Sequence, residues 1–155
     1  MRAFRIREIL LLLAFFLTVG FIFSNSLASG GESNAQSGTV STLVGEALGR
    51  PQEVYEGPSF RGAIRSLAHM AEFALLGAEA ALFVRNRRFS RVGYVWGGAV
   101  CVSVAVCDEI IQLFVPGRAA EFTDLLLDTA GILCGTAFVL ILLGICRALQ
   151  KKRRL

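Results

Sequence analysis

The sequence predicts an all-α, polytopic membrane protein: a four-transmembrane-helix bundle with both termini cytoplasmic and a short amphipathic helix in the first outer loop. Three observations predict it. First, 54% of the 155 residues are hydrophobic and 18% charged, with a mean hydropathy of +0.60. Soluble domains sit near about 45–50% apolar and about 25% charged. Second, the apolar residues form four proline-free runs, Ile9–Leu27, Ile64–Val84, Val92–Val115 and Leu125–Cys146. Each is close to the roughly 20 residues a helix needs to cross the hydrocarbon core. The runs are continuous rather than alternating, which excludes barrel strands and leaves helices. Third, twelve of the sixteen cations fall in three clusters. They are Arg2, Arg5 and Arg7; Arg85, Arg87, Arg88 and Arg91; and Arg147, Lys151, Lys152, Arg153 and Arg154. Cations stay cytoplasmic, so residues 28–63 and 116–124 are expected outside. The net charge of +4 therefore reports topology, and no nucleic-acid partner is expected. The length suits a single membrane domain, 1–155.

The elements follow in order. The Arg-rich start, apolar run and Ser26-Leu27-Ala28 resemble a signal peptide, but 19 residues is long for such a segment and favours a retained span. Ser24–Thr42, rich in Ser, Asn and Gly, reads as extended linker. Val40, Leu43, Val44, Ala47 and Leu48 recur at helical spacing. That helix either lies on the outer membrane surface or packs against the outer ends of the bundle, and Gly49-Arg50-Pro51 ends it. The second run carries Arg65, His69, Glu72 and Glu79 on one stripe. The third ends in Asp108-Glu109-x-x-Gln112, with Asp108 and Gln112 on one face, and Pro116-Gly117-Arg118 turns the chain. The fourth starts at Asp124, a candidate N-terminal cap. Asp128, Gly131 and Gly135 share its face, and Gly131-x-x-x-Gly135 admits a close helix neighbour. Cys101, Cys107, Cys134 and Cys146 have no zinc or disulfide spacing and read as small core residues.

Charged groups at bilayer depth are costly and mark functional sites by default. His69, Glu72, Asp108, Gln112, Arg118, Asp124 and Asp128 all fall in the outer third of three antiparallel helices. An ion-pair network, for example Arg118 with Asp124 or Glu109, would also place them there. Polar contacts between membrane helices contribute only about 0.6 kcal/mol on average, a small return for so many buried carboxylates. A binding or catalytic site accounts for them better.

These residues carry a family resemblance. Ser-Leu-Ala-His69-Met-Ala-Glu72-Phe, Asp108-Glu109-x-x-Gln112-x-Phe-x-Pro116-Gly117-Arg118 and Asp124-x-x-x-Asp128-x-x-Gly131 together resemble the VanZ-like family. Phe23-Ser24-Asn25-Ser26 resembles the serine-containing segment after that family's first helix. The likeness covers nearly the whole chain. Met70 stands where the pattern has an aromatic, and Asp128 where it has Asn. The second departure adds a negative charge, which favours a cation or a protonated Asp128. The resemblance implies a multi-pass protein of the bacterial cytoplasmic membrane. The family's name refers to low-level resistance to the glycopeptide teicoplanin.

Carboxylates with one imidazole suit a divalent cation such as Mg²⁺, Mn²⁺ or Ca²⁺. Arg118 offers a planar fork for phosphate or carboxylate. The expected catalytic residues are His69, Glu72, Asp108 and Glu109. The expected ligand-binding residues are Gln112, Arg118, Asp124 and Asp128, with Asp108, Asp124 and Asp128 holding the cation. The expected partners are the lipid membrane and an anionic lipid-linked envelope precursor or phospholipid, bound or modified at the outer face. Two alternatives stand beside this: a non-catalytic binding module, and a small proton-coupled transporter suggested by Glu79 deep in its span. Four helices enclose little space, so transport would require a homo-oligomer.

Overall fold

The computed structural model describes residues 5–152, which form six helices and, among them, no strand. These are α1 Ile6–Leu27, α2 Gly30–Ala47, α3 Gln52–Tyr55, α4 Pro58–Arg87, α5 Arg91–Leu113 and α6 Phe122–Lys152. α1, α4, α5 and α6 are long and apolar enough to cross a membrane. Their outward faces carry Phe16, Leu17, Val95, Trp96, Phe138 and Ile141, all largely exposed. In water such a surface would be an aggregation hazard; in lipid it is the solvent-compatible side. The chain is a multi-pass membrane protein.

Local interactions set the start of α1 and both ends of α4. The Arg5 amide, at the start of α1, donates to the Glu8 carboxylate at 2.9 Å. Glu8 is buried and takes a second bond from Arg87 Nη1 at 3.2 Å, tying the start of α1 to the end of α4. Pro58 opens α4 at a position where its missing amide costs nothing. The chain leaves α4 through Arg88 in the left-handed region, φ 56°. The cation clusters therefore gather at the terminal end of the bundle. Arg2, Arg153 and Arg154 of those clusters lie outside the described residues.

Four helices meet in one core, Ile22 from α1, Phe73 and Leu76 from α4, Cys101 and Ala105 from α5 and Ile132 from α6. The closest pair is α4 with α6, and glycines make it close. A Cβ at Gly131 would overlap the Met70 carbonyl oxygen, and one at Gly135 the Ala74 carbonyl oxygen. Gly77 faces Ile132 in the same way from the other side. Backbone contact of this kind replaces the hydrophobic drive that lipid removes.

Three expectations need correction. Residues 30–42 are not linker. α1 runs on to Leu27, and Gly30–Ala47 is an 18-residue helix. Ser29 caps it: the Glu32 amide donates to Ser29 Oγ at 3.3 Å and the Ser29 amide to Glu32 Oε2 at 2.9 Å. This is a capping box. Gly30, Ser33, Ser37, Ser41 and Gly45 form its buried stripe, while Val40, Leu43 and Leu48 point away from the bundle. Small polar residues read as linker because they lack an apolar face, yet their size is what allows close packing. The helix ends at Gly49, φ +61°, where the Arg50 amide bonds Gly45 O and the Gly49 amide bonds Glu46 O. Second, of the four cysteines only Cys101 is buried; Cys107, Cys134 and Cys146 are exposed on span surfaces, where lipid tolerates a thiol. Third, Asp124 lies in the first turn of α6 rather than capping it, still at the positive end of the helix dipole.

Candidate functional site

Asp108 is fully buried near the end of α5, opposite the terminal end of the bundle. α5 turns it inward together with Gln112, one turn later, whose amide donates to Asp108 Oδ2 at 2.9 Å. α1 supplies Ser26, fully buried, which donates to Asp108 Oδ1 at 2.5 Å. α4 supplies His69, with Nδ1 at 4.0 Å from Asp108 Oδ2. α6 supplies Asp128, also fully buried. Ligand atoms of His69, Asp108 and Asp128 all lie within 4.8 Å of one another.

The balance of donors is unequal. Both Asp128 oxygens lack a hydrogen-bond partner, as do His69 Nδ1 and Glu72 Oε2. Buried polar atoms are nearly always satisfied, and a buried carboxylate without partners is costly. Asp108 and Asp128 offer the oxygen ligands that a hard cation takes, and His69 adds a nitrogen ligand that suits transition metals better. Asp124 does not join this group. It lines a neighbouring cavity of about 290 Å³ with Arg65, Gln112, Gly117, Arg118, Ala119 and Glu121. Of the expected cation set, Asp108 and Asp128 lie together with His69, and Asp124 lies outside that group. Asp124 precedes Asp128 by one turn on the same face of α6, about 6 Å along the axis, and that step carries it into the next cavity.

Arg118 sits above the cluster in the turn between α5 and α6. Its Nη2 donates to the Asn25 carbonyl at 3.0 Å, while Nε has no partner. Burial pushes its pKa down from the ordinary value and Arg65 pushes the same way; Asp108, Asp124 and Glu109 oppose the drop. A guanidinium does not lose its proton in proteins, so this environment leaves a desolvated cation that gains from an anion. Neither Asp124 nor Glu109 pairs with it within 4.0 Å; among the described residues the salt bridges are His69–Asp108 and Glu8–Arg87. The ion-pair network considered for Arg118 is not formed.

Glu72 and Glu109 flank the cluster. Asn25 Nδ2 donates to Glu72 Oε1 at 2.9 Å, and the Glu121 amide donates to Glu109 Oε2 at 3.0 Å. Glu79 lies apart, taking a bond from Thr18 Oγ1 at 3.1 Å beside an apolar groove between α1, α4 and α5. The site's least legible members are Asn25 and Ser26. Their presence in the Phe23-Ser24-Asn25-Ser26 segment is the one signal for them. Both lie at or before the Ser26-Leu27-Ala28 segment that looks like a cleavage site, so cleavage there would remove two groups that hold the carboxylates.

No curated protein and no solved structure matches the chain. A family model described as VanZ/LLP1 matches residues 9–143, a span that includes every residue of the polar cluster and nearly all of the four long helices. The chain belongs to the VanZ/LLP1 family.

Proposed function

We propose that this polar end faces outward from a bacterial cytoplasmic membrane and binds an anionic headgroup, of an envelope phospholipid or a lipid-linked cell-wall precursor. The observation that carries the reading is the fully buried Asp128 with both oxygens unpartnered, facing His69 and Asp108 beneath an Arg118 that has no acidic partner. A divalent cation on His69, Asp108 and Asp128 would leave coordination positions for oxygens of the bound anion, as Mg²⁺ sites with few protein carboxylates do. Arg118 would hold the anion's other oxygens through charge-assisted bonds. Gln112 and Ser26 orient Asp108, and Asn25 orients Glu72. Glu72, with one free oxygen, is the group placed to accept a proton if the headgroup is also modified. Any link to glycopeptide susceptibility would pass through this headgroup.

The test is binding by the purified chain in nanodiscs of zwitterionic lipid, titrated with an anionic phospholipid or a prenyl monophosphate. Arg118→Ala should weaken binding tenfold or more, because a charge-assisted hydrogen bond contributes about 1.5–3 kcal/mol. Equal binding of zwitterionic and anionic lipid would overturn the reading.

Orientation is tested separately. The clusters at Arg5–Arg7, Arg85–Arg91 and Arg147–Lys152 belong to the terminal end, which the positive-inside rule assigns to the cytoplasm. A reporter fused after Leu155 should be active only in its cytoplasmic form. Activity of an exported reporter there would place the polar site on the cytoplasmic side.

A further inference from the structure

Next to the Arg118 cavity lies a second one, of about 320 Å³, lined by Asn34, Ser37, Glu56, Pro58, Arg61, Gly62 and Arg65. The sequence pattern hides it, because residues 30–42 read as linker and Arg61 falls within residues 28–63, expected outside the spans. Arg65 lines both cavities. Arg61 lies one turn before it on α4, about 6 Å along the axis. The Arg61 guanidinium is packed over Gly38 of α2, 3.6 Å from where a Cβ would stand, and its buried Nε has no hydrogen-bond partner. None of Arg61, Arg65 and Arg118 forms a salt bridge among the described residues.

The cavity also meets the first turn of α4, a 30-residue helix whose N-cap, Gly57, offers no side-chain acceptor. The positive end of the helix dipole favours an anion there, although Pro58 has no amide hydrogen and the Arg61 amide bonds the Gly57 carbonyl at 3.2 Å. The opposing charge is Glu56, to which Gln52 donates at 3.0 Å. On the other side of Arg65 the opposing acids are Glu121 and Asp124. A single phosphoryl group at Arg118 would leave Arg61, Arg65 and this helix terminus with Glu56 as the acid lining their cavity.

We propose that the two cavities are adjoining anion subsites, and that the site takes a ligand with two phosphoryl groups, such as a diphosphate, with Arg65 bridging Arg118 on one side and Arg61 on the other. The inference rests on the headgroup reading above and narrows its ligand class. The diphosphate of a lipid and free diphosphate share the chemistry that these guanidinium groups recognise.

The experiment uses the purified full chain in detergent with Mg²⁺ and four probes: farnesyl diphosphate, farnesyl monophosphate, inorganic diphosphate and orthophosphate. Wild type should bind farnesyl diphosphate at least tenfold tighter than the monophosphate. Arg61→Ala should bring that ratio towards one while leaving monophosphate affinity unchanged; Arg61→Lys, which keeps the charge but not the fork, should fall between. Thermal unfolding without probe confirms that each variant folds. Inorganic diphosphate binding as tightly as the farnesyl form would assign the ligand to a free anion, and weaker binding would assign it to a lipid; both support two subsites. An unchanged ratio in Arg61→Ala, or an equal loss for both farnesyl probes, overturns the inference. Arg118→Ala without effect on the monophosphate would overturn the headgroup reading instead.

Discussion

Gly135→Leu is expected to prevent α6 from seating on α4 and to abolish recovery of folded protein. A Cβ at this position would overlap the Ala74 carbonyl oxygen, carbonyl carbon and Cα of the facing helix, all backbone atoms that no rotamer change can move. Overpacking in a tight core costs about 1–3 kcal/mol where side chains can adjust, and here the helices themselves must separate. Moving them apart also carries Asp128, two turns earlier on the same helix, away from His69 and Asp108. Gly144→Leu is the control. It lies on the same helix, with no atom within 4 Å of where its Cβ would stand, and leucine is the better helix former. It should leave the yield and the thermal midpoint in detergent unchanged or raised. If both variants behave alike, the close α4–α6 contact is not what holds the bundle.

The same pair shows what a sequence can convey about a membrane protein. The four spans are legible because bilayer thickness imposes a length and lipid imposes an apolar surface. Gly131 and Gly135 are legible as a close-approach motif, but their partner is not: nothing local says that Met70 and Ala74 face them. Only the end of α2, from Val40, is legible by apolar periodicity; residues 30–39 escape it although other helix signals are present. Such a reading fails when the buried stripe is Ser33, Ser37, Ser41 and Gly45. The Ser29–Glu32 capping box is the better guide.

Site residues divide in the same way. His69, Glu72, Asp108 and Asp128 can be chosen from depth alone, since an ionisable group in a span is rare without a role. Ser26 cannot, because a hydroxyl at a helix end is unremarkable until the α1–α5 packing sets it against Asp108. Asp124 shares a face of α6 with Asp128 but lies one helical turn, about 6 Å, before it, which places it in Arg118's cavity rather than among His69, Asp108 and Asp128. Arg61 is invisible for a further reason: its surroundings are built by a helix that the sequence disguises as linker.

The separation of Asp124 from His69, Asp108 and Asp128 gives the cation reading a sharp outcome. Mg²⁺, Mn²⁺ or Ca²⁺ should raise the melting temperature of the purified chain, because a ligand bound only by the folded state stabilises it by mass action, about 2.7 kcal/mol at a hundredfold excess over Kd. The rise should vanish in Asp128→Asn and Asp108→Asn and shrink strongly in His69→Ala, whose ligand atoms share the 4.8 Å group. It should survive in Asp124→Asn, which lines the neighbouring cavity, and in Lys151→Ala/Lys152→Ala at the far end of α6. A proton on Asp128 is the competing way to settle its unpartnered carboxylate. Asparagine reproduces the shape of a protonated carboxyl without its acid. If the proton is the answer, Asp128→Asn should leave the melting temperature unchanged or higher, and no divalent ion should stabilise the wild type. If the cation is the answer, Asp128→Asn removes a ligand charge and the ion loses its hold, while the variant without ion is more stable than the wild type without ion. Stabilisation of the wild type that persists in Asp128→Asn but disappears in Asp124→Asn would move the cation out of the buried cluster and into the Arg118 cavity.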